Sequence, residues 1–235
     1  MNNRIYLAVS YDDKEDAKSM GARWDPIKKL WYAASDNYEL IEKYHINDEP
    51  VRLIGEDRNF GGNDLFIDMI PRSCWFTNVR KMIHRSDWDR VRKHIYDRVD
   101  GKCECCGSSN IIEAHERWSY DGDTKIQKLM RLIALCKRCH ESTHMGLSAI
   151  LCKEDSAKAH LMTVRGFDET QLQMHIDDAY KLFAERSKVN WILDIDIITC
   201  NGIRLNDNIP SPDDRKDIAI ICINNINQLP STVIY

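Results

Sequence analysis

The chain lacks any run of about 18 consecutive apolar residues, so no segment of it is a candidate membrane span. Its opening, MNNRIYLAVS, lacks a basic stretch followed by an apolar one. No secretory leader is therefore expected, and the expected location is cytoplasmic. There is no internal repeat and no low-complexity segment. A net positive charge is also missing: 33 Lys and Arg stand against 37 Asp and Glu, a balance of −4, so the molecule as a whole is not an attractor of nucleic acid. What remains, 43% hydrophobic and 30% charged residues over 235 positions, fits a globular protein of one large or two modest domains.

Cysteine, by contrast, is abundant, with nine in the chain. In the reducing compartment expected here, paired cysteines read as metal ligands rather than disulfides. Cys74, Cys152, Cys200 and Cys222 are scattered singly and read as small buried hydrophobes. Charge is unevenly spread. Between Arg72 and Lys102 there are nine Lys or Arg and four Asp, a local balance of +5. Arg80, Lys81, Arg90, Arg92 and Lys93 are the candidate phosphate contacts of this stretch. The plainer reading is a solvated helix face with its own ion pairs.

The first 46 residues form a compact pattern. RIYLAV alternates as a strand. SYDDKEDAKSMGA reads as a short helix capped by Ser10 or Asp12 and ended by Gly21. RWDPIKKLWYAA is two strands about a turn at Asp25-Pro26, and NYELIEKYH a second helix. The residues RIYL and KEDAKSMGARWDPIKKLWY resemble a small domain of unknown function attached to plasmid primases, nucleases and other mobile-element proteins. Trp24 and Trp31 flank the turn, either as core residues or as an aromatic platform beside Lys28 and Lys29 that stacks a base.

Residues 47–68 read as a linker, with one or two short strands expected before residue 70. SDWDRVRKHIYDRVDGK is a helix in which Ser86 is the expected N-cap, Trp88, Val91, Ile95 and Val99 the buried stripe and Gly101 the stop. IIEAHERW is strand-like, SYDGDTK a loop and IQKLMRLIAL helical. CHESTHMGLSAIL and FDETQLQMHIDDAYKLFAERSK are further helices, the latter capped by Asp168 and burying Leu172, Ile176, Ala179 and Phe183. WILDIDII is a strand. Residues 206–235 are a polar linker followed by a tail strand.

Two Cys-x-x-Cys pairs, Cys103/Cys106 and Cys136/Cys139, are separated by 29 residues. That spacing lets both thiolates of a knuckle reach one tetrahedral ion at about 2.3 Å, and soft thiolates select zinc over magnesium or calcium. A structural zinc held by these four is expected, with Cys105 as a rival ligand. His140 and His144 lie four apart and would share a helix face. His115 sits on the strand between the cysteine pairs. If one zinc closes on all four thiolates, strand and helix become neighbours and the three imidazoles can meet.

The segment CECCGSSNIIEAHERWSYD…QKLMRLIALCKRCHESTHMG resembles the zinc-knuckle HNH endonucleases, and flanking sequence extends the resemblance over roughly residues 69–200. It implies an α+β chain: a small N-terminal α/β domain over 1–46, then, over 69–205, a zinc-stapled ββα-metal (HNH-like) domain with flanking helices. It further implies a metal-dependent hydrolase cutting DNA phosphodiesters, of phage or mobile-element origin. By the resemblance, His115 is the general base and His140 and His144 are ligands of a second divalent ion such as Mg, Mn, Ni or Zn. Two positions depart from the pattern. Ala114 stands where a metal-binding His or Asp is usual, and Arg131 where an Asn is usual. Glu113, Glu116 or Asp121 would have to substitute as a ligand, or His115 itself becomes the third ligand and no base remains. The alternative function is a catalytically silent HNH-like zinc module that binds nucleic acid or a host protein, with Arg131 as a phosphate contact or a salt-bridge partner. DNA is the favoured partner, a host protein the other, and no membrane is involved.

Overall fold

In the first strand Ile5 and Leu7 alternate with Arg4 and Tyr6, and in its partner Trp31 and Ala33 share the inner face, which places one face of a small sheet against two helices. In the computed structural model, residues 4–9, 11–45, 50–74, 78–199, 203–206, 211 and 214 are described. Strand β1 (Arg4–Leu7) pairs antiparallel with β3 (Leu30–Ala34), which pairs antiparallel with β2 (Arg23–Asp25). Helices α1 (Lys14–Ser19) and α2 (Tyr38–Tyr44) close the inner face around Leu7, Ala17, Ala33, Leu40 and Tyr44. The first helix is preceded by Asp13, not by Ser10 or Asp12. Gly21 ends it with φ +101°, and Asn37 ties the corner by donating to Met20 O at 2.7 Å and capping Leu40 N at 3.2 Å. Trp31 packs on this inner core. Trp24, its cross-strand neighbour, stays 48% exposed at the sheet edge.

The second sheet carries the remaining chemistry. Strand β4 (Ile112–Asp121) and β5 (Ile126–Cys136) form a long antiparallel hairpin with a register shift at Arg117/Trp118. Strand β6 (Ile192–Asp194) adds parallel to the start of β5. Two sequence expectations change here. IQKLMRLIAL is strand, not helix: it is buried on both faces, so its apolar residues run nearly unbroken instead of alternating. The strand IIEAHERW continues through SYD, which leaves residues 122–125 as the turn. On one face Leu132 and Ala134 meet Val91 and Ile95 of α4 (Arg85–Asp97). On the other, Ile133 and Leu135 meet Met145, Leu161, Leu172 and Ile176. These come from α6 (Met145–Ile150), α7 (Glu154–Arg165) and α8 (Glu169–Arg186).

Helix α4 buries Trp88, Val91 and Ile95 as its stripe requires. It begins after His84, so Ser86 lies inside its first turn rather than capping it. A short α3 (Val79–Met82) precedes it, and a 3₁₀ turn spans Arg72–Cys74. Helix α5 (Lys137–Thr143) leaves the hairpin directly, and α9 (Asp196–Thr199) follows β6, ending that strand sooner than expected. Helix α7, over EDSAKAHLMTVR, is an addition to the sequence reading. Asp168 does cap α8, in a full capping box with Gln171. The expected tail strand lies outside the described residues.

Residues 50–70 form no strand. They cross the hairpin as an irregular strap whose backbone is satisfied by side chains, as buried polar groups require. Arg117 donates to Gly62 O at 2.8 Å and Asp64 O at 3.0 Å, Arg131 to Gly62 O at 3.0 Å and Arg165 to Leu65 O at 2.9 Å. Glu56 in turn accepts Leu132 N at 2.9 Å and pairs with Arg98 at 2.6 Å. Gly61, at φ +69°, is needed for this approach: a Cβ there would sit 2.6 Å from Arg117 Nη1.

Candidate metal centres

The first knuckle follows α4. Gly107, at φ +72°, turns the chain so that its N–H reaches Cys103 O at 2.9 Å, while Cys103 N reaches Ser108 O at 2.9 Å. Glu104 N donates to Ala134 O at 2.9 Å and its carboxylate accepts Ala134 N at 2.7 Å, which docks the knuckle on the end of β5. The second knuckle begins where β5 ends, at Cys136, and Cys139 follows in the first turn of α5. The Sγ atoms of Cys103, Cys106, Cys136 and Cys139 all lie within 4.8 Å of one another, and Cys106 and Cys136 are 3.6 Å apart. A tetrahedron with bonds of about 2.3 Å has edges of about 3.8 Å, so the quartet can hold a metal such as zinc. Cys105 stands outside it, with Arg117 Nη2 at 3.8 Å from its sulfur. His160, absent from the sequence reading because its helix was, places Nε2 3.2 Å from Cys139 Sγ. Its acidic start and its end at Arg165-Gly166 are helix signals that would have found α7. Nothing in the spacing pointed to the contact.

A second cluster lies where the middle of β4 meets α5. The rings of His115, His140 and His144 sit at steep angles to one another, with centroids 5.1, 4.8 and 4.7 Å apart. Their candidate ligand nitrogens fall within 4.8 Å of one another. His140 lies inside α5. His144 is its C-cap, where ψ of 51° breaks the helix before α6 begins, so the pair shares a face across a helix end rather than along one helix. His115 is 2% exposed, and neither of its ring nitrogens has a hydrogen-bond partner. Burial and the two neighbouring imidazoles hold its pKa well below the usual histidine value, and burial pulls that of His144 down to about 3. Both are neutral at pH 7, the form that ligates a metal.

The carboxylates separate cleanly. Glu113 shares the face of His115 and pairs with His140 Nδ1, which keeps the Glu113 carboxyl below its ordinary value. Glu116 accepts Val79 N at 2.7 Å and Asp121 accepts Asp123 N at 2.9 Å in the hairpin turn. Ala114 faces the other way, into the α4 core. Arg131 is not on a surface that could meet phosphate. It is 1% exposed and held by Glu104 at 2.7 Å, because the strap and the first knuckle close over it. Of the other basic candidates, Arg80, Lys81 and Lys93 are exposed, Arg90 is half-buried against Asp87 at 2.8 Å, and Arg92 pairs with Asp89 at 2.8 Å.

Comparison with known proteins reaches the N-terminal unit. Residues 4–43 match a family described as a domain of unknown function, DUF5710. A stretch of 30 residues is 53% identical to the DNA primase TraC of Escherichia coli, covering 13% of this chain and 3% of the primase. Both fit the small N-terminal domain, and the chain spans only that small fraction of the relative's length. No solved structure matches the chain. Among the described residues no helix is long and apolar enough to cross a membrane.

Proposed function

We propose that this chain is a metal-dependent endonuclease of the HNH type, with β4, β5 and α5 as its ββα-metal unit and DNA phosphodiesters as its substrate. The observation that carries the reading is the buried, unpartnered imidazole of His115 facing His140 and His144. A buried polar group without a partner is costly, and a ligand to share between three imidazoles removes the cost. Of the two roles open to His115, ligand fits better than general base, since its depressed pKa and burial hold it neutral but away from water. An ion held by three imidazoles would keep a position open and would supply Lewis acidity to a phosphodiester. Glu113 pairs with His140 Nδ1, which would leave Nε2 as the ring nitrogen that ligates. The thiolate quartet serves as the staple that brings β4 and α5 together. His140 and Glu113, with side chains 30% and 41% exposed, form the open side that a phosphate would approach.

Plasmid DNA incubated with Mg²⁺, Mn²⁺ or Ni²⁺ tests the reading. Cleavage that disappears in His115→Ala and His140→Ala supports it. Metal binding without cleavage under any of the three ions supports instead a silent module that binds nucleic acid or a host protein.

A further inference from the structure

The outer face of the N-terminal sheet is used by neither metal centre. Leu7, Trp31 and Ala33 pack on the helices, so the alternation that puts Ile5 on their face turns Arg4, Tyr6 and Tyr32 outward. Register extends that face: Tyr6 opposes Tyr32, and Tyr32 opposes Arg23. The two tyrosine rings meet edge to face at 6.2 Å. The Arg4 guanidinium lies 4.5 Å over Tyr32, and Lys28 Nζ lies 4.3 Å over Tyr6. Ile27, in the turn beside them, is 91% exposed.

Charge is segregated across the unit. The segments 4–7 and 23–34 carry four cations and a single carboxylate, whereas 11–20 and 35–45 carry three cations and seven carboxylates. The lone carboxylate on the sheet side, Asp25, is consumed internally. One oxygen accepts Tyr6 Oη at 2.9 Å and Arg4 at 3.1 Å, and the other accepts Ile27 N and Lys28 N. The sheet face is thus aromatic and cationic, and the helix side acidic.

We infer that this face binds single-stranded DNA, stacking unpaired bases on Tyr6 and Tyr32 with phosphates on Arg4, Arg23 and Lys28. Two aromatic rings side by side on an open sheet match successive unpaired bases, and a duplex, whose bases are already stacked, offers them nothing. An exposed cation over a ring is a weak contact, so a base displaces it and the released cation turns to the phosphate. With both Asp25 oxygens occupied, no carboxylate of this face is left to accept a ribose 2′-hydroxyl, so nothing on it favours RNA over DNA. The inference stands apart from the nuclease reading, because it uses none of the metal-centre residues.

The test is fluorescence anisotropy of a labelled 15-nucleotide oligo(dT) with the full chain, without added divalent ions. Tyr6→Ala/Tyr32→Ala is expected to weaken binding by at least about tenfold, while Tyr6→Phe/Tyr32→Phe retains it, since the rings remain. Arg23→Glu/Lys28→Glu, at exposed positions, is expected to weaken binding and flatten its salt dependence. Unchanged oligo(dT) affinity in the tyrosine-to-alanine or charge-reversed variant overturns the inference, as does equal affinity for a duplex of the same length or tighter binding of oligo(rU) than of oligo(dT).

Discussion

Glu113, on β4, and His140, on α5, are joined across the junction of strand and helix through the carboxylate and Nδ1. This pair sets the tautomer and the orientation of the His140 imidazole, whose side chain is 30% exposed. Removing the carboxylate's charge by Glu113→Gln should lower the affinity of the triad for Ni²⁺ or Zn²⁺ by about 10- to 100-fold, as expected for a partner behind a ligand. Competition titration with a metal indicator measures it, and any metal held by the four cysteines should be untouched.

The thiolate quartet joins the end of α4 to the end of β5 and the start of α5. A structural zinc of this kind contributes an apparent 10–16 kcal/mol, on the order of the whole 5–15 kcal/mol stability of a typical domain. Cys136→Ser should therefore release the ion and melt the hairpin. Zinc content per chain and near-UV circular dichroism check the two outcomes together.

Arg131 tests whether a buried charge near the site is structural. Deleting one partner of a buried pair costs about 3–5 kcal/mol, because the other charge is stranded. Arg131→Ala should show a loss of that order in urea denaturation, with Glu104 left uncompensated and the strap released from Gly62 O. At temperatures where the variant is still folded, its affinity for duplex DNA should match that of the unchanged chain.

The capping box of α8 isolates a local effect. Asp168 accepts Gln171 N at 2.8 Å, and the Gln171 side chain accepts Asp168 N at 3.0 Å. Asp168→Ala should cost about 1 kcal/mol. Chemical denaturation measures it, and metal content should not change.

Much of this architecture was legible in the residues, and the failures have physical causes. Cys-x-x-Cys spacing is a local rule with few alternatives, so the quartet could be read directly. The buried stripe of α4 and the cap of α8 follow 3.6-residue periodicity and short-range hydrogen bonding. IQKLMRLIAL misled because Leu129, Leu132 and Ile133 also fit a helical spacing. Only their burial from both sides, by α4 and by α5 through α8, reveals a strand. Ala114 looked like a missing ligand. It packs half-buried against the α4 core, since strand alternation sends Glu113 and His115 to one face and Ala114 to the other. Arg131 looked accessible because sequence does not tell which segment will cover a strand edge, and here the strap over 56–64 does so.

The central claim is that His115, His140 and His144 hold a metal ion of their own, apart from the thiolates. Cobalt added to the zinc-loaded chain, followed by anomalous diffraction at the cobalt edge, reads it directly. The account predicts one cobalt per chain at about 2.1 Å from a nitrogen of each imidazole, lost in His140→Ala/His144→Ala. Cobalt found only among the four sulfurs, or nowhere, would contradict it.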